Sequence, residues 1–370
     1  MMLTKFILTT HIAVAATGAL FAAANADSSA SLQSQVDAIR QENVHGTVGG
    51  KNPMHNINGA GIFVTADFLW WRADEDGLEY VYKSDSVPGA IPVKNGKLKD
   101  VGFEWEPGFR LGIGYTFNYD GWDTYLNWTH IHPEASSHAS NPDVNFNSLS
   151  PIWLPSYLYS NNNAEHASAH WDMGYDTLDL ELGRNYFASK ALSYRPFVGI
   201  RGAWLLQDYS TKVHGGDFAE DPSTAFHAHN DYRGWGLRAG FNMLYHFCKS
   251  WALYGDISGS LLWGDFHVNS KWRGNNPTTD VLETLFREKE RFHRVRTNVE
   301  VGLGLMWETF FHKDKMHVSF AAGYELTQWF MQNQLRQFIG WGGIISDSFN
   351  VPQSGDLGLQ GLTVSGRLDF

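Results

Sequence analysis

The chain has almost no cysteine: Cys248 is the only one among 370 residues. A single thiol excludes an intramolecular disulfide framework and any zinc site built from cysteine thiolates. In an exported protein it can still bridge to a second chain, so Cys248 is one candidate contact for a homo-oligomer. The alternative interpretation is a turn residue with no further role.

Long apolar runs and an excess of positive charge are missing as well. Beyond the N-terminal region, no stretch reaches the roughly 18 consecutive apolar residues that indicate a membrane-spanning helix. A membrane protein with this sequence must therefore cross the bilayer as strands. The formal net charge is −11, which argues against nucleic acid as a partner, because binding a phosphate backbone requires a basic surface.

The N-terminal region has the pattern of an export signal. Lys5 precedes an apolar run over residues 12–24, and the sequence Ala-Asn-Ala at 24–26 matches the small-residue cleavage site of a signal peptide. The apolar run is shorter than the roughly 20 residues that a spanning helix requires. We therefore predict a signal peptide over residues 1–26 and export of the chain.

Residues 27–60 differ from the rest of the sequence and are expected to form a periplasmic extension. It begins with a short N-terminal helix at residues 31–42, whose apolar side chains lie on one face, and continues as a glycine-rich linker. A helix of this length is marginal in water when isolated. The segment is therefore either disordered or paired with the same segment of a second copy, as in a homo-oligomer.

From residue 61 onward, apolar and polar side chains alternate. In residues 109–117 every second side chain is apolar, and the pattern resumes after a turn at 118–121. Such alternation gives each strand one face for lipid and one for a polar interior. Four hairpins of this kind, a first strand and a closing strand ending at Phe370 predict an all-β fold, an antiparallel transmembrane β-barrel of about ten strands over residues 61–370.

The segments between the predicted hairpins are long and are expected to be extracellular loops. They cover residues 73–105, 132–170, 207–229, 267–290 and 331–357. Residues 78–83 could add a hairpin of their own, so twelve strands is the alternative count. Tyr194 and Trp204 lie ten residues apart on one outward face, which spans about 25 Å at a tilt of about 40° and places aromatic belts at both membrane surfaces. A soluble β-sandwich, the competing fold, would not require aromatics at both ends of one face.

Charged side chains fall on the inward face of the predicted strands. The lumen-facing candidates are Asp179, Glu181, Arg195, Arg201, Arg238, Arg296, Glu300, Glu325 and Arg367. Paired across strands, they would form a salt-bridge ladder that braces or narrows the barrel; unpaired, they would set ion preference. A barrel of about ten strands has an interior close to what side chains alone can fill, so any pore is expected to be narrow or gated.

Histidines are the other residues with possible chemistry. His130 and His132, and likewise His227 and His229, alternate so that each pair shares one face of an extended segment, an arrangement that can bind a metal. The favoured interpretation is loop polarity near the strand mouths. A surface protease built on a barrel of this size would need a carboxylate–histidine set at the rim, and spacing singles none out. We therefore predict no catalytic residue, no metal and no cofactor.

Several blocks of the sequence are similar to a known family. GFRLGIGYTFNYDGWDTYLNWTHIH at 108–132, LSYRPFVGIRGAW at 192–204, WALYGDISGSLLWG at 251–264 and DLGLQGLTVSGRLDF at 356–370 resemble the major outer membrane protein family first described in Legionella and also found in chlamydia-related bacteria. The resemblance implies an abundant protein of the bacterial outer membrane, in contact with outer-membrane lipid and with porin-like behaviour. It also implies that the barrel assembly machinery recognises the terminal aromatic Phe370.

Two functions fit these expectations. The first is a porin-like channel for small solutes or ions that is also a structural surface protein. The second is a non-conducting barrel whose long loops act as an adhesin or contact surface. The resemblance carries no catalytic motif.

Overall fold

A computed structural model describes most of the chain from residue 61 to the end. The described residues are 61–85, 96–118, 120–141, 147–153, 163–189, 191–218, 224–275, 281–311, 316–340, 348–352 and 354–370. The predicted signal peptide and the predicted N-terminal helix and linker lie outside these residues.

The predicted barrel is confirmed, with ten strands. Each strand pairs antiparallel with its neighbours in sequence order, and the last strand pairs with the first, which closes the sheet into a ring. The strands are β1 (Gly61–Glu75), β2 (Trp105–Thr116), β3 (Trp122–Ile131), β4 (His166–Arg184), β5 (Leu192–His214), β6 (Thr224–His246), β7 (Trp251–Asn275), β8 (Leu282–Phe311), β9 (Met316–Asn333) and β10 (Gly355–Asp369). A closed ring leaves no unpaired edge, as a bilayer requires.

Short strands lie at the two ends of the barrel. They are Val81–Ser84, Gly96–Lys99, Gly102–Phe103, Glu134–Ser140, Ser148–Pro151, Tyr186–Phe187, Arg336–Gly340 and Ser348–Pro352. The strand suspected at residues 78–83 exists as Val81–Ser84, but it pairs with Gly96–Lys99 and Ser148–Pro151 in a separate sheet. It therefore does not raise the strand count of the barrel. Among the described residues no helix is long and apolar enough to cross a membrane.

The turn between β2 and β3 shows how the hairpins are fixed locally. Asp120 and Gly121 both have positive φ, 56° and 69°, which is the backbone of the tight hairpin turn that an Asp-Gly pair favours. Gly121 also accepts a hydrogen bond from the amide of Asn185, so this turn packs against the next one along the rim. The tight turn sets the register in which Thr116 lies opposite Asp123.

The outward face of each strand carries a continuous apolar band. Leu237 and Val198 expose 73% and 60% of their surface, which is unusual in water and expected in lipid. Aromatic side chains border the band: Tyr194, Tyr245 and Trp251 lie on the side of the short turns, and Trp70, Trp128, Trp235 and Trp263 lie on the other side. The predicted register and the two aromatic belts agree with this arrangement.

Two of the predicted extracellular loops are wrong. Residues 207–229 and 267–290 are largely strand, because β5, β6, β7 and β8 continue well beyond the apolar band. In these extensions the polarity of the two faces is inverted: the outward side chains are polar, as at Asp208 and Lys212, and the inward ones are buried, as at Tyr209 and Val213. A sequence search for strands with an apolar outward face therefore ends these strands where the apolar band ends and assigns their extensions to loops.

The barrel interior thus has two parts. The membrane-level half is the part of the strands that carries the outward apolar band, and its interior is polar and charged. The extracellular half is the part beyond the band, and its interior holds the main apolar core, including Trp71, Trp171, Tyr209, Phe266 and Trp329. Both parts arise from the same alternation along the same strands.

Candidate functional site: the barrel lumen

All nine side chains predicted to face the lumen lie inside the barrel. Seven of them expose 5% of their surface or less: Asp179, Glu181, Arg195, Arg201, Arg238, Arg296 and Arg367. The carboxylates of Glu300 and Glu325 are somewhat more accessible, with side-chain exposures of 21% and 12%. The set divides into four groups along the barrel, which differ in how completely their charges are paired.

Arg195 on β5 joins three other strands near the short-turn end. Its Nη2 donates to Asp123 Oδ1 at 2.6 Å, and its Nη1 donates to Glu181 Oε2 at 2.9 Å and to Asn242 Oδ1 at 3.1 Å. Gly183 makes room for this guanidinium, because a Cβ at that position would lie 2.2 Å from Arg195 Nε. Two carboxylates and an amide thus hold one fully buried cation.

Arg201, six residues further along β5, is held in a similar way. It donates to both oxygens of Asp179 at 2.6 Å, and to Asn298 Oδ1 at 2.6 Å. It also pairs with Glu300 on β8, across the barrel interior. Arg–carboxylate pairs with two parallel hydrogen bonds are the strongest geometry for such an ion pair.

Arg238 on β6 connects the contacts of Arg195 and those of Arg201 into one network. Its Nη1 donates to Glu300 Oε2 at 2.6 Å, and its Nε lies 3.4 Å from Glu181 Oε1. Glu300 is therefore shared with Arg201, and Glu181 with Arg195. Acidic side chains of β4 and β8 thus flank the arginines of β5 and β6.

A second ion-pair group, which sequence reasoning only partly found, lies on β1, β2 and β9. Arg110 donates to Asp67 Oδ2 at 3.0 Å and to Glu325 Oε2 at 2.8 Å, and its Nε donates to Thr129 at 3.0 Å. Glu325 is one of the nine lumen-facing candidates; Asp67, Arg110 and the Asp123 described above are not among them. The alternation of side chains along each strand nevertheless places all three inward, since each stands next to an outward apolar residue.

A chain of acids and histidines lies at the end of the barrel where the last strand finishes. Asp369 accepts from Arg367 Nη2 at 2.5 Å and lies 2.9 Å from His317 Nδ1. His317 Nε2 is 3.4 Å from Glu308 Oε2, and Glu308 Oε1 is 2.8 Å from His246 Nε2. The chain ties β10 to β9, β8 and β6. Of these residues, Arg367 is one of the nine lumen-facing candidates.

Arg296 differs from the other lumen arginines. Its Nη1 donates to its neighbour's backbone, Val295 O, at 3.1 Å, and its guanidinium carbon lies 4.7 Å from the centre of the Phe266 ring. No carboxylate of the described residues pairs with it, and its Nε and Nη2 are buried without a hydrogen-bond partner there. The attraction between the guanidinium and the face of the aromatic ring replaces part of the stabilisation that a carboxylate partner would give.

The extracellular half closes over this charged interior. Segments next to the small sheet fold against inward-facing side chains of the barrel: Trp153 stacks on Phe226 at 5.3 Å between ring centres and contacts Tyr209 at 5.1 Å. Tyr209 in turn donates to Leu78 O at 3.0 Å. Leu78 and Trp153 are themselves buried. Aromatic and aliphatic packing therefore fills the outer part of the barrel.

One polar layer crosses that apolar packing. Gln207 Nε2 donates to Glu75 Oε1 at 2.7 Å, and Asn230 Nδ2 donates to Gln207 Oε1 at 2.5 Å and to the backbone oxygen of Gln332 at 3.2 Å. Glu75 lies beyond the apolar band, at the end of β1. Burial raises the pKa of its carboxyl group from an ordinary value of 4.5 to about 8, although the hydrogen bond from Gln207 lowers it.

The histidine pairs suspected of binding metal lie on the outside of the barrel, beyond the apolar band. His130 Nδ1 is 2.9 Å from Asp176 Oδ1, and His229 pairs with Asp208. His132 lies 3.9 Å from Asp172. Within the described ranges, no group of three or more histidine, cysteine or acidic side chains is arranged to hold a metal ion.

Sequence comparison places this architecture in a family. The family described as Legionella pneumophila major outer membrane protein precursor matches residues 60–370. The chain belongs to this family. The match covers the whole barrel, so the resemblance read from separate blocks of sequence extends over all ten strands. A member of this family is a protein of the bacterial outer membrane, as predicted, and its outward apolar band lies in outer-membrane lipid.

Solved structures offer more distant similarities to this family member. Outer membrane protease OmpT from Escherichia coli is 10% identical, with 84% of this chain and 96% of that chain covered and a TM-score of 0.36. The attachment invasion locus protein Ail of Yersinia pestis is 12% identical over 84% and 97%, with a TM-score of 0.23. The toluene transporter TodX of P. putida is 9% identical over 88% and 96%, with a TM-score of 0.26. No curated protein matches the chain.

Proposed function

We propose that this outer-membrane barrel is a structural surface protein whose lumen is closed, and that it conducts ions only after its internal ion pairs separate. The observation that carries the proposal is the lumen network itself. Arg195 and Arg201 are buried, and each is held by two carboxylates and an amide. The salt-bridge ladder is therefore better supported than a row of free charges that select ions.

Energetics support a closed state. Removing one partner from a buried ion pair costs about 3–5 kcal/mol, because the other charge stays buried without compensation. Arg201 and Arg238 share Glu300, so a path along the lumen would have to disrupt more than one pair at once. The apolar packing around Trp153 would also have to move aside. A permanently open pore is not expected from this arrangement.

A porin-like channel is the second candidate, and one observation favours it. The ion-pair network borders a polar cavity of about 20 Å³, lined among others by Asp256, Ser258 and Glu300. That is room for about one water molecule. Water at this position would be the starting point of a conducting path if the network rearranged.

Planar-bilayer recording of the purified protein separates the two candidates. If the lumen is closed, the wild type should give no stable single-channel steps. The double variant Arg195→Gln/Arg201→Gln should then open the network and either conduct with cation preference or lose stability. Regular conductance steps in the wild type would contradict the closed state and support the porin.

A matched control distinguishes lumen charge from total charge. The variant Arg233→Gln/Arg287→Gln removes two positive charges from the outer surface, where both side chains are exposed. It should behave as the wild type in every recording. A change in the control equal to that of the lumen variant would show that surface charge, not the lumen network, determines the current.

The proposal includes no catalytic activity. Its support is that Asp179 and Glu325 in the lumen already pair with arginines, and that Asp369, beside the buried His317, pairs with Arg367. The pairs of His130 with Asp176 and of His229 with Asp208 lie on the outer surface. Incubation of the folded barrel with a mixture of peptides, followed by mass spectrometry, tests this point. Cleavage that disappears when the barrel is unfolded would contradict it.

The non-conducting alternative also gives the extracellular half a role. Strands β5 to β8 and the small sheet at Val81–Ser84 extend beyond the apolar band into the medium. A rigid, well-packed projection of this kind suits a contact surface better than a flexible loop does. We therefore include surface contact in the proposed function.

A further inference from the structure

The long strand β8 loses its neighbour on one side as it enters the extracellular half. Its pairing with β9 ends at Asn298 opposite Trp329, whereas its pairing with β7 continues to Leu282 opposite Asn275. Among the described residues, the stretch 289–297 of β8 therefore has a ladder partner on one side only. We call residues 289–297 the open edge.

The backbone of β9 turns away from β8 just after Trp329. Met331 has a φ of 54°, which is uncommon for a residue other than glycine, and its amide donates to Asp356 Oδ1 at 2.7 Å. β9 pairs with β10 again at Asn333. If the register between β8 and β9 continued, Met331 would stand opposite Arg296. The place beside Arg296 is thus the first that β9 leaves.

The side chains of the open edge are less covered than those of the neighbouring strand. Apart from Arg296, each is exposed or half-buried. Phe266 and Val268 on β7, which lie opposite Phe292 and Glu290 of the open edge, are buried. A strand edge of this kind presents backbone donors and acceptors without a ladder partner, and it is a template for a further strand.

The hairpin that follows β9 lies near the open edge without joining its ladder. Its strands Arg336–Gly340 and Ser348–Pro352 pair with each other. Arg336 forms an ion pair with Glu290, an inward side chain of the open edge. This contact joins two side chains, so within the part of the chain that the structure describes it adds no strand to the open edge.

Arg296 supplies a second, independent observation at the same place. Only 5% of its surface is exposed, and its Nη1 donates to the backbone oxygen of Val295 at 3.1 Å. Its Nε and Nη2 are buried without a hydrogen-bond partner in the described ranges. Buried charges are normally paired. The position beside Arg296 therefore lacks both a strand and a carboxylate.

A second copy in the same membrane does not fit the open edge. All copies in one membrane have β8 running in the same direction. A two-fold contact that pairs this edge antiparallel with itself would turn one barrel upside down relative to the membrane. The partner is therefore a different polypeptide.

We propose that the open edge binds an extended segment of another polypeptide as an added antiparallel strand, and that a carboxylate of this segment pairs with Arg296. Main-chain hydrogen bonds would supply affinity, and the carboxylate would fix the register. The open edge extends outward from Val295, at the border of the apolar band, so the segment would reach it from the extracellular side. Strand addition would deepen the surface contact included in the proposed function, and it does not depend on whether the lumen conducts.

The test uses the full barrel in a non-ionic detergent, titrated with a fluorescein-labelled peptide of alternating Thr and Val in which one central Val is replaced by Glu. Fluorescence anisotropy measures binding, and a second peptide has Gln in place of the Glu. The variant Arg296→Gln removes the buried cation. Arg72→Gln, at an exposed position on β1, is the matched control. A heat-modifiability gel checks that both variants are folded.

We expect Arg296→Gln to bind the Glu peptide about tenfold more weakly or worse, because the peptide carboxylate would be buried without its partner. The wild type should bind the Gln peptide as weakly, and Arg296→Gln should bind the two peptides alike. Arg72→Gln should bind as the wild type does. Without peptide, Arg296→Gln should be no less stable than the wild type, because it removes an uncompensated buried charge.

N-methylated peptides test the added strand itself. Two versions of the Glu peptide carry methyl groups on alternate sets of amides, and only one version should bind, because a strand added to one edge uses one set of its amides. Equal binding of both versions, equal binding of the Glu peptide by wild type and Arg296→Gln, or no binding by the wild type would overturn the proposal. A barrel dimer that the peptide dissociates, seen by light scattering, would also overturn it, since a second copy would then occupy the open edge.

Discussion

The two halves of the barrel are built from the same strands but have opposite interiors. Along β5, Arg195 and Arg201 point inward while Val198 and Ile200 face lipid. Beyond Leu205, Tyr209 and Val213 point inward, together with the polar Gln207 and Thr211, and the outward side chains become polar, as at Asp208 and Lys212. The inward–outward alternation of side chains continues along the whole of β5. The same strand therefore has polar inward side chains in the membrane-level half and mainly apolar ones in the extracellular half.

This difference shows that the surroundings decide which face is apolar. In lipid, the outward face gains nothing from polar groups, so polar side chains face the lumen and must pair there. In water, burial of apolar surface stabilises the interior of the extracellular half, as it does in a soluble β-protein. A register shift of one residue would be penalised twice, because it would reverse both halves together.

The largest effect is expected from breaking the network of the membrane-level half. Arg201→Gln should reduce the free energy of unfolding by about 3–5 kcal/mol, because Asp179 would remain buried with only Arg238, whose Nε lies 3.8 Å away, to balance its charge. Urea unfolding of the barrel in detergent, followed by tryptophan fluorescence, measures this change.

A second variant gives this prediction its control. Arg201→Gln/Asp179→Asn removes both charges of the pair and should recover much of the lost stability. Equal stability of the single and the double variant would mean that Asp179 is not buried with an uncompensated charge. In that case the membrane-level half would be solvated like a pore, and the contrast between the halves would disappear.

The next effect concerns the outward face. Val198→Arg places a charge within the apolar band and should cost about 2–4 kcal/mol at the middle of the bilayer. Ser210→Arg, on the same strand and face but in the extracellular half, should change stability by less than about 0.5 kcal/mol. The folded fraction of each variant after insertion into lipid, measured by heat-modifiability, compares them. Equal losses for both would place Ser210 in lipid as well.

Much of the membrane-level half follows from the sequence alone. The alternation around Val198 and Leu237 is regular, and the turn at Asp120–Gly121 has a strong local signal, so strand count and register were predictable. The inward position of Arg195 and Arg201 follows from the alternation of inward and outward side chains along β5. Their pairing with Asp179 and Glu181 on the neighbouring strand was one of the two predicted alternatives.

The extracellular half was much less predictable. Its outward face is polar, and its inward face carries residues such as Tyr209 and Trp272, so its strands were read as loops. Which charges meet across the barrel was also beyond reach, because Arg201 and Glu300 lie on strands that are not neighbours. Contacts of that kind depend on barrel closure and side-chain length, which periodicity does not encode.

The smallest effect, taken over one pH unit, is a pH dependence confined to the extracellular half. Burial raises the pKa of Glu75 to about 8 in the folded barrel, against an ordinary value of 4.5. Between these two values the folded protein keeps a proton that the unfolded chain loses, so stability should fall as pH rises, by at most about 1.4 kcal/mol per pH unit. Below pH 4.5 both states are protonated, and the full stability is retained.

Glu75→Gln removes the titrating group and retains an amide that can hydrogen-bond to Gln207. The variant should match the wild type near pH 5 and exceed its stability at pH 9, as measured by thermal unfolding at both values. Glu104→Gln, at an exposed position, is the control and should leave the pH dependence unchanged. Parallel pH profiles for wild type and Glu75→Gln would mean that water reaches Glu75, and therefore that the interior of the extracellular half is not the dry core that distinguishes it from the lumen below.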